Sequence, residues 1–321
     1  MKKKVALVTG GLSGEAQISY KSAVTVNGNL DRSKFDVFQI DINPSGWWYT
    51  PENEAPQKVN RDDFSITDGG NKINFDVVLL CIHGTPGEDG KLQGYFDCLK
   101  IPYTSCDAAT SALTFNKRYT VAVAAFAGMS VAKSLHLFKG EPMLAAEMLE
   151  QLTLPVFVKP NNGGSSIGMS KVTTADALAP ALEKAFKEDT QVLVEEFIKG
   201  REFTIGVYLG KNGIQVLPST EIISSKEFFD FEAKYTPGVS EEITPGRMTE
   251  EEKVRVEAVV RTIYNKLNCR GVVRIDYILE EGSGNFYFIE INTVPGQSEN
   301  SIIPQQVRAT GRSVQDFYTE L

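Results

Sequence analysis

The chain has 321 residues, of which 42% are hydrophobic and 23% charged; this composition is typical of globular proteins, and the length predicts two or three domains. The formal net charge of −8 at pH 7 argues against broad binding to nucleic acid or an anionic membrane, which needs a basic face, but not against an anionic ligand in a local cleft. The four cysteines lack metal-binding spacing and indicate reduced thiols in a cytoplasmic protein, and two histidines exclude a His-rich metal site.

The first hundred residues alternate apolar runs with a helical pattern. The apolar runs of strand length are residues 5–10, 36–42 and 75–82, and the helical pattern covers residues 15–28. This alternation predicts a parallel sheet covered on both faces, with the polar residues 43–74 as an excursion from it. The first run is too short for a signal peptide, and no stretch reaches the roughly 20 apolar residues of a membrane span, so no membrane insertion is expected. We place an N-terminal α/β substrate-binding domain at residues 1–103.

A second, α+β unit is predicted at residues 104–198. Helical patterns cover residues 107–127, 142–152 and 174–187, and strand patterns cover residues 130–137, 154–160, 167–172 and 191–198. Pro180 lies inside the third helical pattern, so it should kink that helix or mark a late start.

The third unit is predicted at residues 199–321. Strand patterns at residues 202–210 and 213–219 precede a polar and aromatic segment at residues 226–246, which we expect to close over the site as a lid. A helix begins after Thr249, which forms a capping box with Glu252. Its apolar stripe contains Val256, Val259, Val260, Ile263 and Leu267. Two strand patterns, residues 271–280 and 285–292, are joined by a turn sequence and predict a hairpin.

Polar side chains at alternate positions mark this hairpin. Arg274 and Asp276 are two residues apart on the first strand, and Glu290 and Asn292 repeat that spacing on the second, so the four groups should converge on one face. The opposite face should carry Val273, Ile275, Ile289 and Ile291. Two carboxylates and an amide oxygen form a hard, oxygen-only site suited to Mg²⁺, which completes its shell with water and phosphate. A solvated strand face is the alternative, but a charge within the apolar run around Arg274 argues against it.

A loop of Asn, Gly and Ser at residues 161–168 follows an apolar strand. Successive backbone N–H groups in such a loop can hold phosphate oxygens, and glycine allows a close approach, although the loop lacks the ending of a Walker A motif. Lys159 precedes the loop, and Lys117 is a second candidate phosphate ligand. The alternative for the loop is a flexible hairpin tip, and the alternative for Lys117 is an ordinary surface position.

The end of the strand at residues 191–198 is a candidate base site. One of the adjacent carboxylates, Glu195 or Glu196, can accept from an adenine amino group or a ribose hydroxyl, because neighbours on a strand face opposite ways. Phe197 and Met169 can enclose the purine, with core packing as the alternative for each.

Taken together, these motifs resemble the ATP-grasp superfamily, in which two α+β units hold ATP between them, and within it the D-alanine–D-alanine ligase family. The similar blocks run in order along nearly the whole chain: VTGGLSGE, HGTPGEDGKLQG, FNKRYT, VKPNNGGSSIGMS, REFTIGV, FFDFEAKY, GVVRIDY and FIEINTVPGQSENSI. The resemblance implies an α/β N-terminal parallel-sheet (preATP-grasp) domain followed by a two-part α+β ATP-grasp fold.

The resemblance also implies roles for single residues. Glu15 would receive the ammonium of the first D-alanine and would be linked by hydrogen bonds to Ser165 and Tyr235. Arg274 would stabilise the oxyanion. These four are the candidate catalytic residues. The implied ATP-binding residues are Lys117, Lys159, Ser166, Met169, Glu195, Phe197, Glu202 and Lys234. The implied substrate-binding residues are His83, Gly296, Ser301 and Ile302. The implied metal ligands, which would hold two Mg²⁺ ions with Mn²⁺ able to substitute, are Asp276, Glu290 and Asn292.

The implied reaction uses ATP to join two D-alanines for peptidoglycan precursor synthesis. The first carboxylate attacks the γ-phosphate to give an acyl phosphate, and the amine of the second D-alanine then displaces phosphate. The expected partners are D-alanine and ATP, without nucleic acid, and the expected state is a homodimer in the cytoplasm.

Three places depart from the family pattern. Members often carry a charge at Asn162 and Gly163, a basic residue at Glu196, and His at Asn300. We expect these departures to change affinity and kinetics more than reaction type.

Three alternatives differ in activity. An ATP-grasp ligase with D-lactate or D-serine as acceptor is the nearest, although Tyr235 favours an amine acceptor by resemblance. A catalytically silent nucleotide-binding module should have lost a metal ligand or Arg274, and none is lost. A Rossmann-type dehydrogenase is disfavoured because VTGGLSGE lacks the third spaced glycine.

Overall fold

The computed structural model describes residues 1–141, 145–164, 166–224 and 240–321, without the side chains of residues 145, 224 and 240. The predictions for Ser165, Lys234 and Tyr235, and for most of the expected lid, lie outside the described residues. Among the helices in these ranges, none combines the length and apolar character needed to cross a bilayer.

The N-terminal part is built on a sheet whose centre is parallel, as the strand and helix patterns predict. In chain order it contains β1 (Lys3–Gly10), α1 (Ala16–Asn29), β2 (Phe35–Asn43), β3 (Gly46–Tyr49), β4 (Gln57–Lys58), β5 (Ile66–Asp68), β6 (Asn71–Ile73), β7 (Val77–Leu80) and α2 (Lys91–Leu99). β1 pairs in parallel with β2 on one side and with β7 on the other. In the predicted excursion, β3 pairs antiparallel with β2, and β4 pairs antiparallel with β3. β5 and β6 form a separate antiparallel hairpin.

The central part combines helices with an antiparallel sheet. It contains α3 (Ala108–Phe115), α4 (Lys117–Phe126), β8 (Ser130–Val131), β9 (Ser134–Phe138), α5 (Ala145–Gln151), β10 (Val156–Pro160), β11 (Ser170–Val172), α6 (Leu178–Glu188) and β12 (Gln191–Glu196). The sheet order is β11-β10-β12-β9. The helical pattern at residues 107–127 forms two helices, because Asn116 is extended and its side chain caps α4 by accepting from the N–H of Tyr119. Pro180 lies in the first turn of α6, where a missing N–H costs no helical bond, so it marks a late start.

The C-terminal part contains the largest sheet in the described ranges. Its elements are β13 (Gly200–Gly210), β14 (Gly213–Val216), β15 (Thr220–Ser224), β16 (Ser240–Ile243), α7 (Glu250–Lys266), β17 (Val272–Glu280), β18 (Phe286–Asn292), α8 (Ile302–Ala309) and α9 (Val314–Glu320). The sheet order is β16-β15-β13-β17-β18-β8, with β14 paired to β13, so the predicted β17–β18 hairpin is confirmed. β8 joins β18 in parallel, and the strand pattern at residues 130–137 is therefore divided between two sheets.

A shared hydrophobic core joins the N-terminal sheet to the C-terminal part. Val5 and Leu7 of β1 belong to one buried cluster with Val272 of β17, Ile303 of α8 and Phe317 of α9. The alternate residues of β1 belong to a second cluster, which includes α2. The C-terminal helices therefore hold the N-terminal sheet beside the strand pair that carries Arg274 and Asp276.

The capping box at the start of α7 is confirmed, and it gives a stability prediction. The hydroxyl of Thr249 accepts the N–H of Glu252 at 3.2 Å, and the carboxylate of Glu252 accepts the N–H of Thr249 at 2.7 Å. Thr249→Ala should lower the free energy of unfolding by about 1 kcal/mol, because an N–H of the first turn loses its acceptor. Urea denaturation measures this difference. Thr249→Ser keeps the hydroxyl and should retain most of the stability; equal loss in both variants would contradict a capping role.

Candidate active site

One cavity of about 1000 Å³ is lined by every candidate site residue that lies within the described ranges. Glu15 and His83 come from the N-terminal part. The central part contributes Lys117, Lys159 and the loop at residues 161–168, which is called the phosphate loop after its expected ligand. The polar hairpin comes from the C-terminal part. The structure thus places residues from all three predicted units around a single space.

The β17–β18 hairpin brings its four polar side chains to one face. Asp276 lies directly opposite Glu290, and Arg274 lies opposite Asn292. The guanidinium of Arg274 donates to both oxygens of Asp276, from Nε at 2.9 Å and from Nη2 at 2.6 Å. Asn292 Nδ2 donates to the same carboxylate at 3.3 Å, and the hydroxyl of Thr204 on β13 donates to its Oδ1. Burial disfavours the charge of Arg274, but the attraction of Asp276 outweighs it and raises the pKa of Arg274.

The apolar face of the hairpin differs from the prediction at one residue. Val273, Ile275 and Ile291 are buried in the main C-terminal core. Ile289, expected beside them, is the extra residue where the pairing shifts between Asp276 and Tyr277, and it is only partly buried at the cavity. Strict alternation failed there because a bulge places two residues of one strand opposite one of the other.

Lys159 and Glu195 form an ion pair inside the cavity. Lys159 on β10 and Glu195 on β12 retain only 13% and 9% of side-chain exposure. Burial opposes the positive charge, but the attraction and hydrogen bond of Glu195 prevail and raise the pKa of Lys159. The two residues were predicted to serve different ends of ATP, and the structure makes them one charged unit.

The loop at residues 161–168 is attached to the start of α4. The backbone oxygen of Asn161 accepts the N–H of Lys117 at 3.0 Å, and its side-chain oxygen accepts the N–H of Arg118 at 2.9 Å. Lys117 Nζ donates to the backbone oxygen of Gly163 at 2.7 Å. These bonds fix Lys117 beside the loop, so a surface position without a partner is excluded for it.

Two of the departures from the family pattern have local partners. The backbone N–H and side-chain Nδ2 of Asn162 both donate to one oxygen of Asp189, at 2.7 and 2.8 Å. Glu196 accepts the N–H of Thr153 at 2.7 Å and also lines the cavity. Asn162 therefore fixes the loop to Asp189 without a charge of its own. Glu196 is fixed by its bond to Thr153 at the edge of the cavity.

Phe197 lies at the proposed base site with cationic and aromatic neighbours. Its ring is edge-on to Phe157 with centroids 5.9 Å apart, and Lys171 Nζ lies 4.5 Å from its centroid. Met169 and Glu202 also line the cavity. Phe197 thus has packing partners on the sheet while remaining at the cavity wall.

Glu15 lies where the N-terminal part meets the phosphate loop. A side chain on Gly164 would place its Cβ 2.8 Å from Glu15 Oε1, and one on Gly84 would place it 3.0 Å from Oε2. Gly84 and Gly164 thus let two backbone segments approach the carboxylate of Glu15 closely, and the φ of +69° at Gly84 favours glycine as well. Ser166, in the same loop, adopts a positive φ of 57°.

His83 holds the loop that follows the β17–β18 hairpin. Its Nδ1 lies 2.8 Å from the backbone oxygen of Val294, which can only accept, so Nδ1 carries the hydrogen. Its Nε2 then accepts from the hydroxyl of Ser22 at 3.0 Å, and that oxygen accepts the N–H of Gln297 at 3.1 Å. Burial lowers the pKa of His83, which keeps the ring neutral in this chain of bonds. Both ring nitrogens of His83, which was expected to bind substrate, are therefore hydrogen-bonded to protein groups.

Glu88 and Ser22 were missed by the sequence reasoning. Glu88 Oε2 accepts the N–H of Gly84 at 2.6 Å, and its Oε1 accepts the N–H of Val294 at 3.4 Å. Burial raises the pKa of Glu88 from 4.5 to about 8, and the charge of Glu15 acts in the same direction. Glu88 lies within the block HGTPGEDGKLQG, so its acidic side chain between glycines was a usable signal; Ser22 gave none.

Gly296 and Ser301 are close neighbours at the far end of the cavity. A Cβ on Gly296 would lie 3.0 Å from Ser301 Oγ, and that hydroxyl is 2.6 Å from the hydroxyl of Ser298. Ser301 directly precedes α8, whose first residue is Ile302. The expected seat of the second D-alanine is therefore the beginning of a helix.

Known D-alanine–D-alanine ligases are similar to this chain along its full length. Residues 4–106 match the family described as D-ala D-ala ligase N-terminus, and residues 116–321 match D-ala D-ala ligase C-terminus. The D-alanine–D-alanine ligase of Phocaeicola vulgatus is 43% identical, with 100% of this chain and 98% of the relative covered. That of Flavobacterium psychrophilum is 46% identical, with 94% and 91% covered.

Solved structures give the same result for the fold. The VanG D-Ala:D-Ser ligase of Enterococcus faecalis superposes with a TM-score of 0.89 at 34% identity, covering 100% of this chain and 98% of that one. The D-alanine–D-alanine ligase of Bacillus anthracis complexed with ATP superposes with a TM-score of 0.79 at 26% identity, covering 99% and 95%.

The raised pKa of Glu88 predicts a pH-dependent stability. A carboxyl group whose pKa rises on folding stabilises the protein below its ordinary pKa, and this contribution is lost as pH rises towards the folded value. Glu88→Gln removes the titration, so its melting temperature should fall less than that of the wild type between pH 4.5 and about 8. Thermal denaturation across this range measures the difference. Glu183→Gln, at an exposed position on α6, should follow the wild type; parallel curves for all three proteins would contradict the prediction.

Proposed function

We propose, since this chain belongs to the D-alanine–D-alanine ligase family, that it uses ATP to form D-alanyl-D-alanine for peptidoglycan precursor synthesis. The observation that carries this proposal is the single cavity in which Glu15, the phosphate loop and the Arg274–Asp276 hairpin meet. An amino acid held at Glu15 would have its carboxylate between the phosphate loop and the hairpin.

The proposed metal ligands are Asp276, Glu290 and Asn292. They offer oxygen atoms on one face of the hairpin, which suits Mg²⁺. Within the described residues no three His, Cys, Asp or Glu side chains gather into a metal site, so phosphate oxygens and water would supply much of the shell. Asp276, Glu290 and Asn292 would hold two Mg²⁺ ions, which would offset the charge on the transferring phosphoryl group.

The donor site is proposed at Glu15. Glu15 and Glu88 both line the cavity and are close enough for the charge of Glu15 to raise the pKa of Glu88. The carboxylate of Glu15 creates a negative potential that favours an ammonium group, whereas the raised pKa of Glu88, about 8, keeps that side chain mostly protonated near neutral pH. The link from Glu15 to Ser165 and Tyr235 belongs to the same proposal and involves residues outside the described ranges.

In the first step, a carboxylate oxygen of the donor D-alanine bonds to the γ-phosphorus while the bond to ADP breaks. Lys117 and Lys159 lie beside the loop and offset the charge on the phosphate oxygens, as Lys234 would from outside the described ranges. Ser166, Met169, Glu195, Phe197 and Glu202 are proposed to hold the rest of the nucleotide. Since positioning and charge stabilisation are most of what a protein supplies to this step, the lysines are its main contribution.

In the second step, the acceptor amine, once deprotonated, attacks the acyl carbon. The bond from that carbon to the phosphate oxygen then breaks, and phosphate leaves with the proton that the new amide loses. Nε and Nη2 of Arg274 donate hydrogen bonds to Asp276. We propose that Nη1 of Arg274 and the backbone N–H of Gly296 donate to the oxyanion. Ser301 and Ile302 are proposed to seat the acceptor, and His83 to support the loop between them and the hairpin.

A product assay tests the proposed function. The protein is incubated with ATP, Mg²⁺ and D-alanine, and released phosphate and product mass are measured. D-Serine and D-lactate are offered as acceptors in parallel, the first because a D-Ala:D-Ser ligase has a similar structure. D-Alanyl-D-alanine should be the main product. A product with D-serine or D-lactate but not with D-alanine would overturn the acceptor assignment, and no nucleotide turnover with any of them would overturn the activity.

Replacement of Arg274 tests the second step. Arg274→Ala should lower kcat about 10²- to 10³-fold, the usual loss for an oxyanion donor. Arg274→Lys keeps the charge but not the paired hydrogen bonds to Asp276, so its kcat should lie between those of Arg274→Ala and the wild type. Steady-state kinetics measures both, with the exposed Arg32→Ala as a control. Near-normal kcat in Arg274→Ala would remove Arg274 from this role.

Two further proposals concern the whole protein. A homodimer follows from the family resemblance alone. A cytoplasmic location is supported by the free state of Cys81, Cys98, Cys106 and Cys269, which suits a reducing compartment.

A further inference from the structure

Gln306 is a buried amide on α8 with no exposed surface. Its Oε1 accepts the N–H of Gly206 at 2.8 Å. Its Nε2 donates to the backbone oxygen of Thr204 and to the hydroxyl of Thr220, both at 3.0 Å. The side chain thus bonds α8 to two neighbouring strands, β13 and β15.

Gln306 lies where those strands separate. β13 and β15 are paired as far as Thr204 opposite Thr220, and contact resumes at the hydrogen bond from Leu217 N–H to the oxygen of Gly206 at 2.8 Å. The amide therefore satisfies backbone groups that the strand ladder leaves without partners. A Cβ on Gly206 would lie 2.8 Å from Gln306 Oε1 and 2.7 Å from Ile303 Cδ1, so glycine is needed for α8 to approach β13 this closely.

The two ends of this connection reach different parts of the site. On the strand side, the hydroxyl of Thr204 donates to Asp276, the proposed metal ligand that also binds Arg274. On the helix side, α8 begins at Ile302, directly after Ser301, where the acceptor seat is proposed. An apolar side chain could fill the same space, but only an amide fixes the position of the helix through directed bonds.

We propose that Gln306 is a positioning residue that sets the acceptor seat at Ser301 and Ile302 relative to Asp276 and Arg274. This inference rests on the proposed ligase function. A shifted α8 would leave the phosphorylation site intact and move the acceptor amine away from the acyl phosphate. A displacement of about 1 Å can slow a reaction about 10²-fold. Water would then hydrolyse part of the acyl phosphate, giving D-alanine and phosphate without dipeptide.

The test is Gln306→Met, which has similar length and no hydrogen-bonding amide. The amounts of phosphate and dipeptide are measured on the same sample, with KM for ATP and for the acceptor. We expect more than one phosphate per dipeptide and a KM for the acceptor raised about tenfold, with KM for ATP changed little. The ratio does not depend on the folded fraction, so loss of protein alone cannot produce it. The control is Gln215→Met on β14, whose side chain donates to Gly213 outside the cavity, and it should keep a ratio of one.

A milder pair of variants decides the question if Gln306→Met does not fold. Thr220→Val removes the hydroxyl that bonds to Gln306 and, at 2.6 Å, to the hydroxyl of Thr244, while Thr220→Ser keeps it. Thr220→Val should raise the phosphate-to-dipeptide ratio, and Thr220→Ser should keep this ratio at one. A ratio of one with normal acceptor KM in the folded variants would overturn the positioning role, whereas failure of the wild type to form dipeptide would overturn the proposed function itself.

Discussion

The guanidinium of Arg274 is a largely buried charge on the cavity wall, and it needs a partner there because a charge removed from water is unfavourable unless it is paired. Asp276 supplies that partner through two hydrogen bonds, and is itself held by Thr204 and Asn292. These contacts require β13, β17 and β18 to lie side by side in a single register. The register of the sheet therefore also fixes the geometry of the site, because a slip of one residue would separate this charge from its partner.

The N-terminal part takes part in this constraint. Ser22, His83 and Glu88 bond to the backbone of Val294 and Gln297, immediately after the polar strand β18. A buried core between β1, α8 and α9 keeps these partners in place. The N-terminal part thus helps to position the loop that contains Gly296, as well as contributing Glu15 to the cavity.

Charges of both signs are arranged locally within an acidic protein. Lys159 is paired with Glu195, Arg274 with Asp276, and Lys117 is fixed to the phosphate loop. A chain of net charge −8 therefore presents cations inside its cavity, as the proposed binding of a nucleoside triphosphate requires. The pairing also keeps these cations charged, because the attraction of the carboxylates raises the pKa of Lys159 and of Arg274 despite burial.

The sequence by itself determined those features that depend on residues close together in the chain. The spacing of Arg274, Asp276, Glu290 and Asn292 predicted one polar face, and Thr249 with Glu252 predicted a helix start, because strand alternation and helix capping are local rules. The sequence blocks similar to those of D-alanine–D-alanine ligases then predicted the family.

Only the tertiary structure decided which distant groups become partners. Lys159 pairs with Glu195 because β10 and β12 are neighbours, Ser22 meets Gln297 because α1 packs near the loop after β18, and Gln306 bonds across to Thr204. The bulge at Ile289 and the division of residues 130–137 between two sheets follow from packing as well. Such contacts join residues far apart in the chain, and no local pattern encodes them because their free energy arises only when separate sheets and helices are brought together.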